Sequence, residues 1–230
     1  MTIADIEVQL IDSMGSDSSI VQAARVSVQG ANHPTVNEGG KLINYLLKHK
    51  HGSPFEHNSM TFFVKAPIFV FREFQRHRIG FSYNEMSGRY TELPNEFYYP
   101  TSERPLINIG TSSHPVMAPA EPRIQDAVHD ELAIAYRRAW DSYQDLLGLG
   151  IAKEVARLVL PVGIMSQMYV TCNARSLMHF LSLRTHVETA QHVSNPQYEI
   201  EMVAKRMEII FADLFPVTYS SYNENKRVAP

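Results

Sequence analysis

The chain has 230 residues, 44% of them hydrophobic, a formal net charge of -3 and a single cysteine, Cys172. Such a length suits one domain with a sizeable core. The mildly acidic balance excludes a global basic field for recruiting nucleic acid, and one cysteine excludes an internal disulfide framework and fits a reducing compartment.

No stretch reaches the length of a membrane span, and Met1-Thr2-Ile3-Ala4-Asp5 lacks the basic and apolar regions of a signal peptide. No Cys/His pair falls at metal-ligand spacing. The expectation is a cytoplasmic protein with no metal, no membrane partner and no nucleic acid.

Taken in order, Ile6-Glu7-Val8-Gln9-Leu10-Ile11 alternates as a first strand, and Gly15-Ser16-Asp17-Ser18 reads as a turn and helix N-cap. Ile20, Val21, Ala23, Ala24 and Val26 suit the helix that follows. A polar break spans Gly30 to Gly40. Leu42, Ile43, Leu46 and Leu47 then form the apolar face of a second helix, which Gly52 and Pro54 end. Met60, Phe62 and Val64 alternate as a strand. A helix from Ile68 to Arg78 is predicted next, with Glu73, Arg76 and His77 within one turn of each other.

The text then becomes Arg76-His77-Arg78-Ile79-Gly80-Phe81-Ser82-Tyr83-Asn84-Glu85-Met86-Ser87-Gly88-Arg89-Tyr90. Arginine forks bind phosphate bidentately, a serine hydroxyl can join them, and tyrosine rings can lie against a flat ring. From 93 to 123 six prolines and Thr111-Ser112-Ser113 mark an irregular surface loop with a short extended piece at Phe97-Tyr98-Tyr99. Asp126 to Leu147 is a long helix buried along Val128, Leu132, Ala135, Ala139, Tyr143 and Leu146. Ile151 to Leu160 is a short helix stopped by Pro161. Arg157 sits there among apolar neighbours, so it must reach water, a carboxylate or a bound anion. Gly163 to Cys172 is a strand candidate. Asn173 N-caps a helix in which Arg175 and His179 share a face and Arg184 emerges beside Phe180 and Leu181. A last helix carries Ile200, Val203, Met207, Ile210 and Phe211, and 223–230 reads as a frayed polar tail.

The run from Arg76 to Tyr90 resembles the signature of the flavin-dependent thymidylate synthases: Arg-His-Arg, seven residues, then Ser. Eight residues separate Arg78 from Ser87 here, and the additional one is placed at Ile79-Gly80, where glycine tolerates an unusual backbone. Further similarity lies in Ala23-Ala24-Arg25-Val26-Ser27, in His51-Gly52-Ser53-Pro54-Phe55-Glu56-His57, in Glu154 to Pro161, in Asn173 to Arg184 and in Gln197-Tyr198-Glu199-Ile200. It covers roughly residues 13 to 215.

The resemblance implies an α+β fold, a small antiparallel sheet wrapped by helices, as one domain over 1–230. It implies a homotetramer with shared active sites and the reductive methylation of dUMP to dTMP. FAD would be the cofactor, with NADPH and 5,10-methylenetetrahydrofolate as co-substrates. The implied dUMP residues are Glu73, Arg76, Glu85, Ser87, Gly88, Arg89, Arg157 and Arg184, with Arg184 as the catalytic group that favours ionised uracil. The implied FAD residues are Ser53, Arg76, His77, Arg78, Glu85, Asn173, Arg175 and His179. Ser53 and Arg175 match residues that meet across a subunit interface. Glu73 stands where the family usually has glutamine, and a carboxylate donates a hydrogen bond only when protonated. Two other classes compete on residues alone: a nucleic-acid module built on Arg76-His77-Arg78 and tyrosines, and a flavin or nucleotide binder without catalysis.

Overall fold

The computed structural model describes residues 2–30, 39–112 and 114–230, so most of the polar break between Gly30 and Gly40 lies outside the described residues. In chain order the elements are β1 (Thr2–Ile3), β2 (Glu7–Met14), α1 (Asp17–Gln29), α2 (Gly39–Lys48), a 3-10 turn (Ser53–Glu56), β3 (Ser59–Pro67), α3 (Ile68–Phe74), β4 (Phe81–Glu85), β5 (Glu96–Phe97), β6 (Ile107–Asn108), β7 (Met117–Ala118), α4 (Pro122–Gly148), α5 (Lys153–Ala156), a 3-10 turn (Arg157–Val159), β8 (Met165–Cys172), α6 (Ala174–Arg184), α7 (Tyr198–Leu214) and α8 (Pro216–Glu224). The fold is α+β with a small antiparallel sheet, in the order β2-β3-β8-β4. The chain folds into two compact units interleaved along the sequence.

One unit comprises Met1–Ile6, Lys65–Arg72 and Glu85–Gln167. Its core gathers Leu93, Phe97, Tyr99, Tyr136 and Ile164. The Phe97 and Tyr136 rings stack at 4.6 Å, and Tyr99 meets Tyr136 edge-on at 5.3 Å. Gly163 is required at this point, since a Cβ there would stand 2.2 Å from the Tyr136 hydroxyl. β1 pairs in parallel with β5 through Thr2↔Glu96 and Ile3↔Phe97.

The other unit comprises Glu7–Val64, Glu73–Asn84 and Met168–Pro230. β3 shows why the sequence folds as it does: Met60, Phe62 and Val64 are fully buried while their neighbours are partly exposed, the period-two pattern of a strand. Burying each such side chain contributes on the order of 1.5–3 kcal/mol. In α2, Ile43, Leu46 and Leu47 are buried, as the helical spacing predicts. Phe74 stacks on Phe180 of α6 at 4.9 Å, fixing α6 in this core.

Four expectations are corrected. The helix predicted to reach Arg78 stops at Phe74. The His77 N–H bonds the Phe74 carbonyl, and the Tyr83 hydroxyl donates to the carbonyls of Phe74 and His77, so the helix end is capped by β4 and Arg76-His77-Arg78 form a turn. The stretch 93–123 is irregular, but its beginning is not surface: Leu93, Phe97, Tyr98 and Tyr99 are buried, because they supply the core against α4. In α4 itself the buried residues are Tyr136 and Tyr143, and Ala135 is exposed. The 223–230 tail is not frayed: Arg227 is buried and ion-paired to Glu208. Among the described residues no helix is long and apolar enough to cross a membrane.

Candidate active site

The turn after α3 and the helix α6 line one cavity. Arg76, His77, Arg78, Ile79, Phe81, His179, Leu183 and Arg184 surround a volume of about 330 Å³. Arg184 is held on two sides. Its Nη1 pairs with Glu73 Oε2 at 2.7 Å, and its Nε donates to His77 Nε2 at 3.1 Å. His77 is 7% exposed, and burial, followed by the charges of Arg184, His179 and Arg76, pushes its pKa down to about 4. The ring is therefore neutral near pH 7, with Nε2 free to accept from the guanidinium.

The carboxylate of Glu73, one of the residues implied for dUMP, pairs with Arg184, consistent with a group that can only accept. The helix stop at Phe74 makes this geometry possible, because His77 sits beyond the helix with its ring 4.9 Å from Phe180.

The start of α6 is built by close approach. Asn173 caps the helix by accepting from the Ser176 N–H at 2.9 Å. Gly80 has φ +69°, and a Cβ there would stand 2.0 Å from Ser176 Oγ and 3.3 Å from Asn173 Nδ2. Glycine is thus needed in the signature loop on both conformational and steric grounds. Arg175 pairs with Glu56 at 2.6 Å and donates to the Pro230 carbonyl at 2.8 Å. A Cβ at Gly52 would stand 2.5 Å from Arg175 Cζ. The turn that carries Ser53 therefore packs on Arg175 through Gly52 and Glu56.

A second group lies in the other unit. Glu85 Oε1 accepts from the Ser166 hydroxyl at 2.8 Å. Burial raises the Glu85 pKa, while the Ser166 hydrogen bond and the Arg157 charge oppose that rise. Arg157 passes over Gly88, where a Cβ would be 3.3 Å from its Cδ, so the glycine leaves room for the guanidinium stem. Arg89 bonds Glu154 at 3.1 Å, its guanidinium lies 5.4 Å from the Tyr90 ring centroid, and the Ser87 hydroxyl accepts from the Arg89 N–H at 3.3 Å. Glu85, Ser87, Gly88, Arg89 and Arg157 thus bring hydroxyl, carboxylate and guanidinium groups together in this unit, with Arg89 paired to Glu154.

Sequence reasoning missed Ser166, an ordinary polar residue whose only signal is a partner distant in sequence, and it gave Glu56 and Glu154, which lie in the matched stretches, no partner.

Arginine and imidazole donors beside an apolar wall of Ile79, Phe81 and Leu183 fit a cofactor that joins a pyrophosphate to a flat ring. Residues 9–217 match the model of the family described as thymidylate synthase complementing protein. A flavin-dependent thymidylate synthase from Streptomyces coelicolor is 52% identical over 234 residues, covering 99% of this chain and 94% of the relative. One from Tropheryma whipplei is 44% identical, covering 99% and 96%. Among solved structures, the UMP/dUMP methylase PolB from Streptomyces cacaoi, bound with 5-Br UMP, superposes with a TM-score of 0.94 at 47% identity, covering 100% of this chain and 99% of that one. The chain belongs to the flavin-dependent thymidylate synthase family.

Proposed function

We propose that this chain performs its family's reaction, the reductive methylation of dUMP to dTMP, with Arg184 as the group that makes the uracil reactive. FAD is the cofactor, and NADPH and 5,10-methylenetetrahydrofolate are the co-substrates. The observation that carries the role of Arg184 is its double anchorage by Glu73 and neutral His77 in the arginine-lined cavity. A guanidinium fixed in this way stabilises charge that develops on the uracil without having to reorganise during the reaction.

Ser87, Gly88, Arg89 and Arg157 bind the nucleotide, chiefly its phosphate and sugar, and Arg76 adds a further fork. Glu85 stands close to both ligands, its carboxylate oriented by Ser166. Glu73 serves dUMP through Arg184. Ser53, Arg76, His77, Arg78, Asn173, Arg175 and His179 hold FAD, which when bound supplies hydride. Cys172 is buried, and burial drives its pKa far up, so it remains a thiol and takes no part as a nucleophile. A homotetramer with sites shared between chains and a cytoplasmic location complete this reading, supported by the family and by the single reduced cysteine.

Purified protein with added FAD should show oxidised-flavin absorption and form dTMP from dUMP, methylenetetrahydrofolate and NADPH. A folded protein that binds no flavin would refute the reading. A second substrate has a specific motive, since the neighbour of known structure is named a methylase of both UMP and dUMP. The same assay with UMP should give slower methylation, and equal rates would extend the substrate class to ribonucleotides.

A further inference from the structure

The segment from Tyr222 to Pro230 touches α6 along its whole length. At the helix start, the Pro230 carbonyl accepts from Arg175 Nε at 2.8 Å. In the middle, the buried Tyr222 hydroxyl donates to the Met178 carbonyl at 2.9 Å. At the end, Arg227 Nη2 donates to Thr185 Oγ1 at 3.0 Å, and that hydroxyl donates to the Leu181 carbonyl at 2.7 Å. Thr185 is 3% exposed and follows Arg184 directly.

The segment is itself secured. Arg227 is 5% exposed, and its Nη1 bonds Glu208 of α7 at 2.5 Å and Asn223 at 2.9 Å. A buried guanidinium persists only when its charge and donors are matched. Lys226 and Arg227 have φ of 54° and 58°, a left-handed conformation unfavourable for side chains other than glycine. Two such residues in succession turn the chain so that Arg227 enters beneath α6, and the contacts it makes there offset that conformation.

We propose that residues 222–230 form a strap that sets the position of α6, with Arg227 and Thr185 as positioning residues for Arg184. Neither touches substrate. They act by fixing the last turn of the helix, so that Glu73 and His77 meet the Arg184 guanidinium in register. This rests on the reading that Arg184 faces the uracil, so the test separates the two.

Hydrogen exchange in the ligand-free protein tests the strap alone. Thr185→Val removes the acceptor for Arg227, whereas Thr185→Ser keeps it. Thr185→Val should speed exchange over residues 179–186 while β3 and α7 keep wild-type protection, and Thr185→Ser should match wild type. Unchanged exchange in Thr185→Val overturns the strap. In the loaded enzyme, Thr185→Val should lower kcat by about tenfold or more with little change in KM for dUMP, the pattern of a lost transition-state interaction. In an Arg184→Lys background the same change should cost much less, because the positioned group is already altered. Equal losses in both backgrounds would make Thr185 merely structural. Should Thr185→Val not fold, Tyr222→Phe, which drops the hydroxyl's bond to Met178 and its interaction with Arg227, is read by the same two measurements. Failure of the functional reading would show separately, as wild-type protein that makes no dTMP.

Discussion

Arg184 has a half-buried guanidinium with one carboxylate and one imidazole at hydrogen-bond distance, and its mutation should separate binding from chemistry. Arg184→Ala should slow dTMP formation strongly, each tenfold loss corresponding to about 1.4 kcal/mol of barrier. A variant with the wild-type rate would remove Arg184 from the mechanism. His77 makes a second prediction. Its native pKa lies near 4 and its ordinary value is 6.5, so between these the unfolded chain binds a proton that the folded chain refuses. Its contribution is therefore undiminished above pH 6.5 and falls as the pH drops towards 4. Melting curves of the ligand-free protein should show a shallower fall over that window in His77→Gln. The same slope in both proteins would mean that His77 titrates normally. Cys172→Ser should keep near-normal turnover, since the thiol is buried and protonated. Loss of product with FAD and dUMP still bound would point to a covalent thiolate route.

At the scale of elements, the short α3 and the glycine-bearing loop after it set the site. Had α3 continued to Arg78, Arg76 and His77 would follow the helical spiral. The bonds from Tyr83 to the carbonyls of Phe74 and His77 end it instead and turn His77 inward. Gly80 then lets the loop lie against the start of α6. Gly80→Ala should destabilise the protein by about 1–3 kcal/mol, from the left-handed backbone and the overlap with Ser176. Denaturant titration measures this, and an unchanged midpoint would show that the loop relaxes freely. The adjacent Asn173 cap was readable from sequence, because an N-cap depends on residues three apart. The end of α3 was not, because the capping hydroxyl belongs to a later strand.

For the whole molecule, the group proposed to bind the nucleotide and the arginine-lined cavity belong to different units of the chain, and the proposed tetramer would join groups from different chains. Chains carrying Arg157→Ala and chains carrying Arg184→Ala should each be inactive, and subunit exchange between them should restore activity. Demonstrated exchange with no recovery would confine each site to one chain.

Sequence alone determined the α+β class, most helices, the strands β2, β3 and β8, and the family, and it singled out the arginines that line the cavity. Hydrophobic period, helix caps and the Arg76–Tyr90 motif are all written in short stretches, so local physics suffices to read them. Only the tertiary structure decided which partner each charge takes. Glu85 with Ser166 spans 81 residues, Arg184 with His77 spans 107, and Arg175 with Glu56 spans 119. Such pairs follow from packing: burial makes an unmatched charge or polar group costly, and the partner is whichever group the folded core brings within reach. The same cause turned the polar tail into a strap, because Arg227 meets Glu208 and Thr185 only after α6 and α7 have packed.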